Sequence, residues 1–410
     1  MAARRCDVAI VGGGMVGASL ALALQETPLE VVLIEAVEPD SAAQPSFDDR
    51  TTALGNGARR ILDTLGVWPP IAARAGAIRA IHVSDAGRFG FARLDASEHG
   101  LAAFGYTASN REIGAALWQG LRVRGRIGLL CPARTQEVQL DADSARLRVA
   151  TSSGAEQEIQ AALVVAADGA HSLVKQAALI TSSNEDYGQV AVVANIRTDL
   201  PARGTAFERF ADTGPMALLP LASGDYTVVW TLDAQRAEAL RDCDAEQFCQ
   251  ALQGAFGWRA GRIGEVGRRA TYPLALVRAH EHTGRRVALI GNAAQALHPI
   301  AAQGFNLGLR DAAVLAELLV AATDPGAPSV LGQFAARRAA DQRGMIAFTD
   351  TLVKLFGDRH PASVAARNLG LLLFDLSAPA KRALARLSVG FGGALPRLSR
   401  GLPLLPRGQS

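Results

Sequence analysis

The stretch Val8-Ala9-Ile10-Val11-Gly12-Gly13-Gly14-Met15-Val16-Gly17-Ala18 decides how the rest of the chain is read. Its first four residues are apolar and mostly β-branched, which suits a buried strand, and the apolar run Ala18 to Leu24 that follows suits a helix. The glycines between them have the spacing G-x-G-x-x-G. Gly12 permits the turn, Gly14 lets the backbone approach a pyrophosphate, and Gly17 lets the helix close on the strand, while the helix N-terminus favours the anion. Val31 to Ile34 is a second strand ending at Glu35, whose carboxylate can accept hydrogen bonds from ribose hydroxyls and disfavours a 2′-phosphate. Such a βαβ unit predicts a parallel sheet with helices on both faces and a dinucleotide site at its first turn. The turn alone does not separate FAD from NAD.

Two further apolar segments, Leu163 to Ala167 and Val287 to Ile290, each end in polar residues followed by small ones and read as returns to the same sheet. Between them, Gln189 to Arg197, Thr205 to Phe210, Met216 to Pro220 and Tyr226 to Leu232 are short β-type runs split by Gly, Pro, Asp and Ser, the pattern of an antiparallel sheet. The expected fold class is α/β: a Rossmann-like dinucleotide-binding domain with an inserted antiparallel β-sheet domain and a helical C-terminal region. The dinucleotide-binding part is expected at residues 1–75, 100–182 and 276–346, the inserted substrate domain at 76–99 and 183–275, and the helical region at 347–410. A helix is expected from Gly304 to Ala322, with Leu307, Val314, Leu315, Leu318 and Leu319 as its apolar stripe and Pro325-Gly326 closing it.

Composition narrows the function. With 49% apolar and 20% charged residues over 410 positions, the chain has enough core for two domains and is not an extended disordered segment. Its 42 basic and 39 acidic residues leave +3, too little for a nucleic-acid surface. Cys6, Cys131, Cys243 and Cys249 lack the paired spacing of a zinc site and are too few for a disulfide framework, so a reducing cytoplasm fits. His280 and His282 have no evident third ligand, and no metal is expected. The longest uncharged stretch, Val287 to Leu309, holds Asn292, Gln295, His298, Gln303 and Asn306, which a lipid-facing helix would have to desolvate. Neither an export signal nor a membrane span is read, and G-x-S-x-G and H-E-x-x-H are absent, which removes two common hydrolase classes.

Ala167-Asp168-Gly169-Ala170-His171-Ser172 follows one buried strand and Gly291-Asn292-Ala293-Ala294-Gln295 another, with His298-Pro299-Ile300-Ala301-Ala302-Gln303-Gly304-Phe305-Asn306-Leu307-Gly308 just beyond. Together with the first turn, these blocks resemble, in order from about Val8 to Arg310, the aromatic-ring flavoprotein hydroxylases of the p-hydroxybenzoate hydroxylase type, and among them the ubiquinone-biosynthesis branch. The resemblance implies an FAD-dependent monooxygenase with NAD(P)H as reductant and O2 as co-substrate. It further implies a polyprenylated phenol as substrate, hydroxylated through a flavin C4a-hydroperoxide. Gly12, Gly14, Gly17 and Glu35 would hold the adenosine half of FAD. Arg50 would lie near the flavin, Arg111 would face the cofactor phosphates, and Asp168 would cap a second cofactor contact. Gly291 and Asn292 would meet the ribityl chain. Gln303, Gly304 and Asn306 would bring a helix N-terminus to the pyrimidine side of the ring. Pro299, the catalytic position, would set its carbonyl beside the flavin edge where substrate reacts.

Most relatives carry Asp and His where this chain has Asn292 and Gln295; an amide still bonds a hydroxyl, without the charge. The form G-N-A-A-Q-x-L-H-P looks most like the branch acting on 2-polyprenyl-6-methoxyphenol. The alternatives are hydroxylation at another ring position or flavin-dependent oxidoreduction without oxygenation. No second glycine fingerprint marks a nicotinamide domain, so the reductant is expected to bind transiently or to be replaced by a partner protein. The group that activates the phenol is not identified by sequence.

From Leu376 to Ser410 there are six basic residues, Lys381, Arg382, Arg386, Arg397, Arg400 and Arg407, and no acidic one, interleaved with Leu384, Leu387, Phe391, Leu398, Leu404 and other apolar residues. Such a tail can lie on an anionic membrane, dock in a biosynthetic complex, or pack its leucines on the flavin domain with its charges solvated. The expected setting is cytoplasmic, with peripheral contact to the inner membrane.

Overall fold

The computed structural model describes residues 3–405 apart from 42, 153, 212, 297–302, 358–359 and 389–394. Arg4–Val11 (β1), Met15–Leu24 (α1) and Val31–Ile34 (β2) form the expected parallel βαβ unit, with Val8 opposite Val31 and Ile10 opposite Leu33. Thr51–Gly55 (β3) pairs antiparallel with Gly105–Ser109, which also pairs with Gly76–Ile78 in a small separate sheet. Between these come Ala80–Asp85 (β4) and Phe91–Asp95 (β5), a hairpin that belongs to the second large sheet. The helix Asn110–Arg124 opens on a capping box in which Ser109 and Glu112 each satisfy the other's backbone N–H.

Glu156–Ala166 (β6) is longer than the apolar segment suggests. Its C-terminal part runs parallel to β1, Leu163 opposite Val8, whereas its polar beginning pairs antiparallel with Ala145–Thr151. Ser182–Thr198 (β7), Thr205–Ala211 (β8), Gly214–Pro220 (β9) and Tyr226–Asp233 (β10) contain the four β-type runs. Ala234–Asp242 (α2) and Ala245–Phe256 (α3), N-capped by Asp233 and Asp244, follow them. Ala270–Ala279 (β11) was not expected from the sequence, since Pro273 interrupts it; it pairs continuously with β7 from Ala270 to Leu274, so the domain boundary expected at 275/276 falls inside a strand. Val287–Leu289 (β12) returns to the first sheet beside β6, and Gln295–Ala296 (β13) extends the second beside β11.

The first sheet therefore runs Thr283–Gly284, β12, β6, β1, β2, Gly128–Leu130, and the second β13, β11, β7, β10, β9, β8, β4, β5, antiparallel except between β8 and β4. Gly304–Val320 (α4) and Pro328–Gly357 (α5) are followed by Pro361–Leu376 (α6) and Ala378–Ser388 (α7), so the boundary expected at 346/347 for the helical region falls inside α5. α4 is buried along most of its length and is locked to α5 by a buried ion network: Arg338 Nε lies 2.7 Å from Asp311 Oδ1, and both Arg338 and Arg310 reach Asp341. Removing one partner from such a network would strand a desolvated charge.

Candidate active site

The first turn has no room for side chains. Gly12 has φ +101°, and a Cβ there would lie 2.4 Å from the Ala167 carbonyl oxygen; one on Gly17 would lie 1.9 Å from that of Gly12. Gly13, an unconstrained position in the motif, is equally crowded. A Cβ there would meet the Trp118 ring at 2.7 Å, and Trp118 Nε1 donates to the Gly13 carbonyl at 2.9 Å. Nothing local in the sequence pointed to Trp118 as the buttress of this turn. Gly14 is the N-cap of α1, which has no capping side chain and no acid in its first turn, leaving its N-terminus free for an anion. Glu35 accepts from Gly13 N at 2.6 Å and from Val37 N at 2.9 Å, and a carboxylate so held retains lone pairs for ribose hydroxyls.

Arg50 pairs with Asp48 at 2.5 Å and lies 4.6 Å from the Tyr272 ring centroid, joining β3's approach to β11. Arg111 is exposed and donates to Asp49 at 2.9 Å; this contact holds the Asp49 carboxyl below its ordinary range and raises the guanidinium. Asp168 Oδ2 accepts from Leu173 N at 2.9 Å, while its Oδ1 is buried without a partner among the described residues, and burial raises the carboxyl pKa.

α4 closes on the Gly291 turn, where a Cβ on Gly308 would lie 3.0 Å from Gly291 Cα. Asn292 is exposed on that turn, whereas Gln295 is buried, its amide atoms without a partner among the described residues. Gln303 is the buried N-cap of α4, and a Cβ on Gly304 would meet open space. Asn306 is a clamp: its Oδ1 accepts from Gly55 N and its Nδ2 donates to the Ala53 carbonyl, both at 2.9 Å, fixing the start of α4 to β3. Pro299 lies outside the described residues. Among the described residues those present fit FAD: an unpartnered carboxylate oxygen at Asp168, space beside Gly169 and Gly304, and two helix N-termini without a capping side-chain bond or an acid.

The second sheet presents its other half of the site. Met216, Leu218, Val228 and Trp230 point to α2 and α3 and are buried. On the opposite face Glu208, Ala217, Val229 and Val193 form one cross-strand row, each partly accessible, with Leu219 and Thr227 in the next. Thr227 Oγ1 lies 2.8 Å from Thr51 Oγ1 of β3, so this face turns toward the dinucleotide-binding half. Among the described residues Glu208 has no hydrogen-bond or ion-pair partner, and burial pushes its carboxyl up to about 8. The sequence located the strand that carries Glu208 but not the face that helices would leave uncovered.

The glycine turn on α1 and the end of α4 suit a dinucleotide, and the half-open sheet face joined to β3 suits a substrate; taken with the family and the relatives that the chain matches, they make it an FAD-dependent monooxygenase. The FAD binding domain family matches residues 5–349, and the chain belongs to it. It is 38% identical to the ubiquinone hydroxylase UbiL of Rhodospirillum rubrum, over 97% of this chain and 93% of that protein. It is 31% identical to the 3-demethoxyubiquinol 3-hydroxylase of Escherichia coli, over 94% and 98% respectively. Its place is thus among the FAD hydroxylases of ubiquinone biosynthesis. The fold is shared with p-nitrophenol 4-monooxygenase from Pseudomonas putida at a TM-score of 0.78 and 21% identity, covering 95% of this chain and 100% of the other. Among the described residues no helix is long and apolar enough to cross a membrane.

Proposed function

We propose that this FAD-dependent hydroxylase oxygenates the aromatic ring of a polyprenylated ubiquinone precursor, 2-polyprenyl-6-methoxyphenol, with NAD(P)H as reductant and O2 as co-substrate. The observation that carries this reading is the half-open apolar face of Val193, Ala217, Leu219 and Val229, joined through Thr227 to the strand that Asn306 clamps to α4. FAD, when bound and reduced, would activate O2 for transfer of one oxygen atom to the ring. The apolar row receives the ring and excludes water from it. Glu208, in the same row, accepts the phenol proton and so drives electron density into the ring. A carboxyl raised to about 8 is a stronger base than an ordinary carboxylate and takes the proton in its ionised form, so turnover is expected to rise as pH climbs toward about 8.

The block Gly291-Asn292-Ala293-Ala294-Gln295 supports the ring position. The Escherichia coli relative, named for 3-hydroxylation of demethoxyubiquinol, favours a second reading in which another ring carbon is attacked. Deleting the gene and identifying the accumulated phenol separates the two: 2-polyprenyl-6-methoxyphenol is expected, and a precursor lacking a hydroxyl at a different carbon assigns the second. Purified protein that consumes O2 without forming a hydroxylated product overturns both.

A further inference from the structure

α6 is built inside out. Its most deeply buried residues are polar: Arg367 Nη2 and Asn368 Nδ2 both donate to Asp85 Oδ2 at 2.8 Å. Asn368 Oδ1 also accepts from Gly90 N at 2.8 Å, which ties α6 to the tip of the β4–β5 hairpin. The outward face carries Ala365, Ala366, Leu369, Gly370, Leu373 and Leu376, with no polar side chain among its exposed positions. Leu369, Leu373 and Leu376 are 54%, 58% and 82% exposed, and their spacing makes them one stripe. Two more exposed apolar residues belong to segments that α6 itself holds. Phe89 is 63% exposed at the hairpin tip beside Gly90, and Leu355 is exposed where its carbonyl accepts from Arg367. Single exposed leucines are ordinary; a contiguous apolar patch on an inverted helix is not.

The surroundings select the occupant. α7 brings Lys381 and Arg382 and no acid, and Lys381 lies 3.1 Å from Asp375, the acid of α6, which leaves Arg382 exposed. Arg88 is exposed beside Phe89. A protein interface of useful size carries hydrogen bonds every few hundred Å², and this face offers no side chain to make them. A lipid surface needs none: apolar side chains enter the acyl boundary and cations meet the headgroups. The tail itself is otherwise engaged. Leu398 is buried, its carbonyl accepts from Thr64, Leu404 packs on the first domain's core, and Arg397 N donates to Glu317 at 2.7 Å.

We propose that the outer face of α6, with Phe89 and Leu355, docks on an anionic bilayer, with Arg382 and Arg88 at the lipid phosphates. This deepens the functional reading, since a polyprenylated phenol is dissolved in the same bilayer, but its test does not depend on turnover. The full FAD-loaded chain is floated with phosphatidylethanolamine–phosphatidylglycerol vesicles and with phosphatidylcholine vesicles, at low and high salt. The wild-type chain is expected to float with the anionic vesicles and to be released by salt. L369E/L373E/L376E is expected to lower the bound fraction at least about tenfold while keeping FAD and hydroxylating a short-tailed phenol at the wild-type rate. V123E, at an exposed apolar residue far along the chain, is expected to float as wild type. Wild-type protein left in the aqueous fraction, or a triple variant that floats equally well, overturns the proposal. So does a dimer that the triple variant dissociates without loss of flotation, which assigns the face to a second copy. A chain that floats but hydroxylates no phenol fails the functional reading and leaves this one standing.

Discussion

The two faces of the second sheet are made by the same strands under the same alternation, yet they do opposite things. Met216, Leu218, Val228 and Trp230 are sealed under α2 and α3, whereas Ala217, Leu219, Val229 and Val193 stay partly open beside an unpartnered carboxyl. The closed face lowers the energy of the fold. The open one forgoes that burial and leaves space that a substrate ring can fill. The proposed active site is a sheet of which only one side is finished.

The comparison breaks most readily at its closed side. Trp230→Ala is expected to destabilise the protein by about 3–5 kcal/mol, read from the denaturant midpoint; a loss below about 1 kcal/mol would mean that α2 and α3 do not seal a core. On the open side, Glu208→Gln is expected to lower turnover about 10²-fold with FAD retained and thermal stability undiminished. Full activity in that variant would remove the carboxyl from the chemistry.

The same residue sharpens the contrast through pH. Because burial raises Glu208 from 4.5 to about 8, its neutral form is the one the fold accommodates. Its contribution to stability is therefore complete below 4.5 and lost as pH climbs toward about 8, so wild type should weaken relative to Glu208→Gln across that window. Stability curves that stay parallel would place Glu208 in water. Leu219→Ala should have the smallest effect on the fold, under about 1 kcal/mol, and show itself as a higher KM; a destabilisation as large as that of Trp230→Ala would erase the distinction between the faces.

The parts legible in the sequence were those whose physics is local. Gly12 is required by its positive φ and Gly17 by a clash with Gly12 inside the same turn, so the βαβ unit and its helix end could be read directly, although Ala167 and Ser46, which crowd Gly12 and Gly14, come from elsewhere in the chain. β7 to β10 were visible because apolar runs alternate with turn residues. β11 was not, because Pro273 and partly polar neighbours blurred its period, and the beginning of β6 was too polar to resemble the strand it continues. Among site residues, Asn306 was assigned to the cofactor by resemblance, while its hold on Ala53 and Gly55 has no local trace. Glu208 lay in a strand already expected, but which of two alternating faces is covered depends on helices packed from elsewhere in the chain. α6 misleads for the same reason: its apolar stripe reads as a core face, and Asp85, the residue that turns it over, comes from a distant hairpin.

The reach of Asn306 back to Gly55, 251 positions earlier, sets an order of events during synthesis. The first βαβ unit can form while the ribosome is still translating, but β3, though paired with Gly105–Ser109, is not joined to the second helix end until α4 has emerged. Closing so long a loop is slow and comes late in folding. Flavin loading would therefore belong to the finished polypeptide, and chains interrupted before Gly304 would emerge colourless, with β3 still paired to Gly105–Ser109 but lacking its tie to α4.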